Sequence, residues 1–161
     1  MKTAQRFALH FLVVILAIWI MFGFVFGLLS APTADMYPRI DQGDMLLFYR
    51  LDKDVSAQDV VVFTKNDTIY VGRVIAAAGD TVEIKNNESV LINGSSMIES
   101  NIFYQTPIYE GFVSYPLVLG QDQCFILADS RNGGEDSRYF GPVNKKELLG
   151  TVITVLRRNN I

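Results

Sequence analysis

The sequence predicts a single N-terminal membrane helix followed by a mainly β domain of antiparallel sheets, partly barrel-like. The first observation behind this prediction is an apolar N-terminal stretch, because residues 7–34 contain no Asp, Glu, Lys or Arg. The second is the remainder of the chain, where short β-branched segments alternate with tight polar turns. Closely spaced strands of this kind are typical of all-β antiparallel domains.

The apolar stretch is long enough to cross a lipid bilayer. Residues 11–29 are almost uninterrupted apolar, and a helix of that length spans roughly 28 Å, close to the thickness of the hydrocarbon core. Backbone groups inside lipid must be paired internally, so we expect a helix that ends at Ser30. The predicted organisation is a cytoplasmic N-terminus at residues 1–6, a signal anchor at residues 7–29 and an extracytoplasmic domain at residues 30–161.

The charges that flank the stretch predict its orientation. Lys2 and Arg6 are the only charged residues before it, which favours a cytoplasmic N-terminus. We therefore expect a single-pass protein of the plasma membrane with an extracellular C-terminal domain. The alternative is a cleaved signal peptide with its cleavage site at residues 31–34. The length of the apolar stretch and the Pro32 that follows Ala31 both disfavour cleavage.

Composition limits the function classes of the β domain. From Asp35 onward, 12 basic residues stand against 17 acidic ones, a net charge of −5, which disfavours nucleic-acid binding. The single cysteine, Cys124, excludes an intrachain disulfide, and the single histidine lies inside the predicted anchor. We therefore expect no metal and no other cofactor.

Turn residues divide the β domain into segments. The following segments combine β-branched or aromatic residues with flanking turns and are predicted strands: residues 45–49, 59–64, 68–76, 81–85, 90–92, 123–127 and 151–156. Short polar loops separate the second strand from the third and the fourth from the fifth, which predicts two hairpins. Residues 95–116 are predicted to be rich in loops, and residues 144–149 to form a short helical turn.

Four short motifs in the β domain resemble, in order, those of the type I signal peptidases. They are Met36-Tyr37-Pro38, Gly43-Asp44-Met45-Leu46-Leu47, Tyr70-Val71-Gly72-Arg73-Val74 followed by Gly79-Asp80, and Asp129-Ser130-Arg131 followed by Asp136-Ser137-Arg138 and Gly141. The compact length is similar to that of the short Gram-positive form. The resemblance implies a signal-peptidase (LexA-like) fold and, in the family, a membrane-anchored serine endopeptidase that removes signal peptides from exported proteins.

The sequence departs from the family at the catalytic positions. A signal peptidase uses a Ser nucleophile activated by a neutral Lys, whose pKa is lowered by an apolar pocket. The nucleophile's position corresponds to Asp35, the lysine's to Gly72, and a third, lysine-orienting hydroxyl to Gly134. Because all three groups are missing together, we interpret the site as degenerate and catalytically inactive. The missing lysine side chain at Gly72 is expected to leave a void.

Neighbouring residues are poor substitutes for these groups. A carboxylate is a weak nucleophile toward an amide, and aspartyl catalysis normally needs a second carboxyl that shares a proton. Lys65 is seven residues from Gly72, which is about 23 Å along an extended strand. Thr33 matches a family position whose hydroxyl helps to bind the oxyanion, but without a nucleophile no acyl-enzyme forms.

The resemblance also implies a peptide-binding groove in which an extended peptide is added as a strand. The positions that would line it are Thr33, Asp35, Met36, Ile69, Tyr70, Val71 and Gly72. Asp136 and Arg138 match a family pair that holds the catalytic region together, and here we expect a structural ion pair. The candidate partners for an ion pair of Asp35 are Arg39, Arg73 and Arg131.

Three hypotheses follow. The first is a non-catalytic signal-peptidase-like protein that acts as a chaperone-like factor in the export and assembly of surface proteins. Such chains resemble accessory proteins of Gram-positive pilus clusters, which implies pilin subunits or other exported precursors and a sortase as partners. The second hypothesis is an active signal peptidase with an unconventional dyad. The third is an anchored structural or dimerisation module, with a homodimer as its expected form.

Overall fold

The chain folds into an N-terminal helix followed by two antiparallel β-sheets, which confirms the predicted fold class. The computed structural model describes residues 2–97, 102 and 105–157. Helix α1 covers Lys2–Ile20 and continues as a π-helical segment, Met21–Val25. The part from Thr3 to Val25 is long and apolar enough to cross a membrane.

The predicted helix is too long at its C-terminal end. Phe26–Ser30 forms a β-strand, β1, in place of the last helical turn, so the expectation of a helix that ends at Ser30 is wrong. The whole of β1 pairs with Met45–Tyr49, the strand β2. Gly27 permits this pairing, because a Cβ there would lie 2.2 Å from an atom of the Phe48 ring. Pairing with the sheet therefore outweighs the helical preference of the apolar stretch.

The larger sheet has seven strands in the order β1-β2-β11-β3-β4-β9-β10. Its further strands are β3 (Val60–Lys65), β4 (Thr68–Ala76), β9 (Gln123–Leu127), β10 (Val143–Asn144) and β11 (Leu148–Leu156). The hairpin that joins β3 to β4 turns at Asn66 and Asp67, which both have positive φ angles. That turn type is matched to the twist of the strands it connects.

The smaller sheet has four strands in the order β7-β6-β5-β8. They are β5 (Thr81–Ile84), β6 (Val90–Ile92), β7 (Ser95–Ser96) and β8 (Leu117–Val118). The predicted strands agree with the structure to within one residue, except that β11 begins at Leu148. The predicted helical turn at residues 144–149 is reduced to a 3₁₀ turn, Lys145–Glu147, and a four-residue helix, α2 (Ser137–Phe140), was not predicted.

Strand β4 lies between two hydrophobic clusters that fix its position. Val71 packs with Met36 and Phe48 in one cluster, and Val74 packs with Phe63 and Ile126 in the other. Alternate residues of a strand point to opposite faces of the sheet. The side chains of β4 are therefore buried on both faces over most of its length, and its start is the part that reaches the surface.

Candidate functional site

The first half of β4 has an open edge. On one side, β4 pairs with β3 from Thr68 to Arg73, but on the other it pairs with β9 only from Arg73 to Ala76. Between Thr68 and Gly72, the β9 side of the strand has no strand partner among the residues that the structure describes. An unpaired strand edge presents a row of backbone donors and acceptors.

The register of the hairpin shows which backbone groups this edge offers. The amide of Val74 donates to the carbonyl of Asp59 on the β3 side, at 2.8 Å. In an antiparallel pair, residues alternate between bonding their partner strand and pointing away from it. Ile69 and Val71 therefore direct their N–H and C=O groups toward the open edge. An extended peptide placed there could form backbone hydrogen bonds with the N–H and C=O groups of these two residues.

Asp35 lies close to the loop that follows β9. Its backbone carbonyl accepts a hydrogen bond from the amide of Ser130, at 2.8 Å. Its carboxylate accepts one from the hydroxyl of Thr33, at 2.7 Å. A Cβ at Gly134 would lie 3.8 Å from the Cβ of Asp35, so these two predicted site residues are neighbours. The Thr33 hydroxyl is thus engaged by the carboxylate that stands in the nucleophile's position.

A second carboxylate approaches the site from the same loop. The hydroxyl of Tyr70 donates to the Glu135 carboxylate at 2.8 Å, which links β4 to the loop beside Gly134. Burial, this hydrogen bond and the negative charges of Glu135 and Asp35 raise the pKa of the Tyr70 phenol above its ordinary value. Tyr70 therefore remains a protonated donor at neutral pH and does not act as a base.

The space beside Gly72 is filled. A Cβ at Gly72 would lie 2.4 Å from Cγ2 of Ile126 and 3.5 Å from the ring of Phe63. The expected void is therefore wrong, because the Ile126 side chain on β9 occupies the region into which a side chain at residue 72 would extend. Gly134 is similarly close-packed, since a Cβ there would lie 2.7 Å from the Cβ of Ala128.

Only some of the predicted groove residues reach the surface. Met36 is 1% exposed and Val71 is 9% exposed, and both pack in the core together with the buried backbone of Gly72. Their side chains belong to the core of the domain and not to its accessible surface. Ile69, at 38% exposed, together with Thr33, Asp35 and Tyr70, forms the accessible surface beside the open edge.

Asp136 and Arg138 form a buried, bidentate ion pair. Arg138 donates from Nε and Nη2 to the two carboxylate oxygens of Asp136, at 2.9 and 2.8 Å. The same carboxylate accepts from the backbone amide of Ala128 at 3.0 Å, and Arg138 also donates to the carbonyl of Arg131 at 2.8 Å. The pair therefore ties the end of β9 to the loop that carries Gly134. A second buried pair, Arg73 with Asp129, joins β4 to the same loop and was not predicted.

Among the residues that the structure describes, no serine–lysine dyad lies at the site, where the Thr33 hydroxyl instead contacts the Asp35 carboxylate. In the described residues, no lysine hydrogen-bonds Thr33, Asp35 or Tyr70, and no basic side chain forms a salt bridge with Asp35. Of the three arginines considered for Asp35, Arg73 pairs with Asp129, and Arg131 donates to Ala128 and Thr106. In the described part of the chain, no group of His, Cys, Asp and Glu side chains is arranged to hold a metal ion.

Two residues that shape the site, Ile126 and Glu135, were not predicted. Glu135 stands next to Gly134 in the sequence, but it is 65 residues from Tyr70, so nothing local indicates their hydrogen bond. Ile126 comes next to Gly72 only through the pairing of β4 with β9. The contact of Glu135 depends on the conformation of its loop and that of Ile126 on strand register, and the sequence pattern alone determines neither.

An apolar N-terminal helix, an antiparallel β domain and an open strand edge beside Asp35 define a protein of the signal peptidase type. The family model "Signal peptidase, peptidase S26" matches residues 4–156, and the chain belongs to this family. A protein from Synechocystis named "Probable signal peptidase I-2" is 33% identical over 131 residues, which cover 74% of this chain and 57% of that protein. Signal peptidase I of Bacillus caldolyticus is 29% identical over 143 residues, 80% of this chain and 78% of the relative.

A solved structure supports the same assignment. The crystal structure of a signal peptidase I from Enterococcus faecalis matches with a TM-score of 0.53 and 27% identity. The match covers 63% of the present chain and 97% of the Enterococcus chain. The share of each relative's own length that this chain spans differs from one relative to another. The chain spans little more than half of the Synechocystis protein and 39% of a thylakoidal processing peptidase from Arabidopsis thaliana.

Proposed function

We propose that this chain is a non-catalytic member of the signal peptidase family that binds exported polypeptides as an added strand along the open edge of β4. The observation that carries the proposal is the edge from Thr68 to Gly72, which has no strand partner among the described residues and whose Tyr70 lies within the electrostatic influence of Asp35. Backbone hydrogen bonds to such an edge bind a peptide without cleaving it, and neighbouring side chains select the sequence that binds. Ile69 and Tyr70 supply the accessible apolar side chains at this edge.

The side chains at the family's catalytic positions support binding without cleavage. Asp35 is an acceptor that already receives the Thr33 hydroxyl, and Gly72 has neither an amine nor the space to place one. Acyl transfer by this family's route requires both a nucleophile and a base within hydrogen-bond reach of each other. In the described part of the chain, no lysine amine lies within hydrogen-bond reach of Asp35, and the hydroxyl that contacts its carboxylate belongs to Thr33.

The proposal places the β domain outside the cell, with α1 as its anchor. Lys2 and Arg6 favour a cytoplasmic N-terminus, and an acidic domain is compatible with export. On the resemblance to accessory proteins of Gram-positive pilus clusters, the partners are pilin precursors and the sortase that joins them. The role is then chaperone-like: the groove holds an exported chain at the membrane surface while the chain is assembled.

The names of the relatives favour a second candidate function, an active signal peptidase. Relatives from Bacillus caldolyticus and Bacillus subtilis are both named signal peptidase I. In that case Asp35 would have to take part in an unconventional dyad. The two candidates differ in whether a precursor is cut.

A processing assay separates these candidates. The full chain is expressed in cells depleted of their own signal peptidase, and a secretory precursor is followed by pulse-labelling. We expect no processing. Cleavage that is lost in Asp35→Ala would overturn the proposal in favour of the active peptidase. The variant with Asp35→Ser, Gly72→Lys and Gly134→Ser tests whether the catalytic residues of the family can restore cutting on this scaffold.

Site-specific crosslinking tests binding. A photoreactive amino acid at Ile69 should crosslink to a pilin precursor that is co-expressed with the full chain. The same group at Val118, which is 67% exposed on the smaller sheet, is the matched control and should not. Equal crosslinking from both positions, or crosslinking of Ile69 only to a second copy of the chain, would favour the dimerisation module instead.

A further inference from the structure

A cavity of about 190 Å³ lies at the end of β9 that is remote from Asp35. Leu127, at one end of the strand, pairs with Arg73 beside the groove, whereas Gln123 and Cys124, at the other end, line the cavity. The two ends are about 13 Å apart along the strand. The cavity is therefore separate from the groove, and an inference about it does not rest on the proposed function.

The cavity has an apolar wall and a charged wall, which carries Lys53 and Lys145 together with Asp54 and Asp122. Val55, Ala77, Cys124 and Leu148 provide the apolar wall. Lys53 provides a cation that the backbone holds in place, since its ammonium donates to the carbonyl of Leu148 at 2.6 Å. An ammonium has three N–H donors, so this bond leaves two of them for another acceptor.

The nearby acidic residues do not neutralise Lys53. The carboxylate of Asp54 pairs with Lys145 on the rim of the cavity, and that of Asp52 accepts the amide of Asp54 at 2.9 Å. Asp122, which also lines the cavity, acts on Lys145: the hydrogen bond to Asp54 and the negative charges of Asp54 and Asp122 raise the pKa of that lysine. Within the described residues, Lys53 forms no salt bridge with a carboxylate. Burial and the positive charge of Arg50 lower the pKa of the Lys53 ammonium. A partly desolvated cation with free donors is stabilised by an incoming anion.

We propose that this cavity binds a carboxylate that carries a short apolar group. Lys53 is the counter-ion of the carboxylate, and the apolar group packs against the apolar wall. The volume sets the size of that group, because a protein cavity of about 150 Å³ holds a six-carbon ring. A branched acid of about six carbons therefore fits. The same chemistry is presented by a free short-chain acid and by the C-terminal carboxylate of a peptide that ends in a small apolar residue.

A calorimetric titration of the full chain in a non-ionic detergent tests the proposal. The probe is sodium 4-methylpentanoate, and its neutral isostere 4-methylpentanamide is titrated in parallel. We expect the acid to bind at least about tenfold more tightly than the amide, the factor that one charge-assisted hydrogen bond supplies. Because this comparison uses the unaltered protein, it does not depend on the folding of a variant. Equal affinities, or no binding of the acid, would overturn the proposal.

Variants assign the counter-ion. Lys53→Met should weaken binding of the acid at least about tenfold while leaving the amide nearly unchanged. Lys85→Met, which removes an exposed lysine remote from the cavity, is the matched control and should leave both affinities unchanged. Thermal unfolding followed by circular dichroism verifies that both variants are folded. An acid affinity that persists in a folded Lys53→Met protein would also overturn the proposal.

A second pair of probes distinguishes the two sources of the carboxylate. N-acetyl-leucine represents a peptide C-terminus, and N-acetyl-leucinamide is its neutral counterpart. Tighter binding of N-acetyl-leucine than of 4-methylpentanoate assigns the cavity to a peptide terminus, and the reverse order assigns it to a free acid. Both results support the carboxylate site, provided that each acid binds more tightly than its amide.

Discussion

Cγ2 of Ile126 lies 2.4 Å from the position that a Cβ at Gly72 would occupy, a distance at which two carbon atoms overlap. The absence of a side chain at residue 72 is therefore part of the packing between β4 and β9. Ile126 is fully buried and belongs to the cluster that also contains Phe63 and Val74. A lysine at residue 72 has to displace this isoleucine before it can reach Asp35.

The first prediction concerns this pair. Gly72→Lys should destabilise the β domain by about 1–3 kcal/mol, because the new side chain overpacks a filled core. Ile126→Ala alone should cost about 2–5 kcal/mol through the cavity that it creates. In the double variant the lysine side chain can occupy the space that Ile126→Ala leaves. The loss in free energy of unfolding should therefore be smaller than the sum of the two single losses. Urea unfolding of the four proteins measures this coupling.

Thr68→Lys provides the control for that cycle. Thr68 is exposed on the same strand, so a lysine there points to solvent. When Thr68→Lys is combined with Ile126→Ala, the loss in free energy of unfolding should equal the sum of the two single losses to within about 0.5 kcal/mol. A coupling of the same size in both cycles would show that the effect does not arise from contact between residues 72 and 126.

The second prediction concerns the buried ion pair. Asp136→Asn keeps the shape of the side chain but leaves Arg138, which is fully buried, without its counter-charge. Removing one partner of a buried pair typically costs about 3–5 kcal/mol. Thermal unfolding should therefore show a large fall in the melting temperature. Asp54→Asn breaks a pair whose carboxylate is 84% exposed, and it should change the melting temperature little.

The third prediction is a pH dependence at the start of β11. Burial of the Glu147 carboxyl would raise its pKa, but the hydrogen bonds from Asn144 and Lys65 outweigh burial and lower it below the ordinary value. The stability from this carboxylate is therefore fully present above the ordinary glutamate pKa of about 4.3, and it is lost as the pH falls through the lower pKa of the folded state.

Glu147→Gln tests this dependence. The difference in free energy of unfolding between the native chain and the variant should be largest near neutral pH and should shrink as the pH falls below about 4. Lys65→Met, which removes one partner but keeps Asn144, should reduce the effect only in part. A difference that stays constant from neutral to acidic pH would contradict the assigned role of Glu147.

The strands were predictable where local pattern alone determines them. Residues 45–49, 68–76 and 90–92 match β2, β4 and β6, because their apolar residues are bounded by turn residues. Strand β1 was missed because its apolar residues continue those of the membrane helix, and only pairing with β2 separates the two. The two-residue strands β7, β8 and β10 are too short to show a period.

The site was predictable in position and less so in packing. Asp35, Gly72 and Gly134 were singled out by resemblance, and the structure brings Asp35 and Gly134 within contact. The Ile126 side chain that fills the space at Gly72 was not predictable. Its position depends on the pairing of Val74 with Ile126 and on the irregularity that follows Val74 in the ladder. The register in which two strands pair is not visible in the hydrophobic pattern of either strand.

The last prediction concerns Gly150, which directly precedes the pairing of Thr151 in β11 with Tyr49 in β2. A Cβ at this position would lie 2.1 Å from the backbone carbonyl oxygen of Tyr49 and 2.9 Å from the Phe48 ring. A backbone atom in a central strand cannot move aside as a flexible side chain can, so Gly150→Ala should separate the two strands locally and cost about 3 kcal/mol. Gly120→Ala is the control, because its nearest neighbour is the side chain of Gln123 at 3.2 Å. Urea unfolding should show a large loss for the first variant and a small one for the second, and comparable losses would indicate that β11 and β2 are less closely paired than the structure shows.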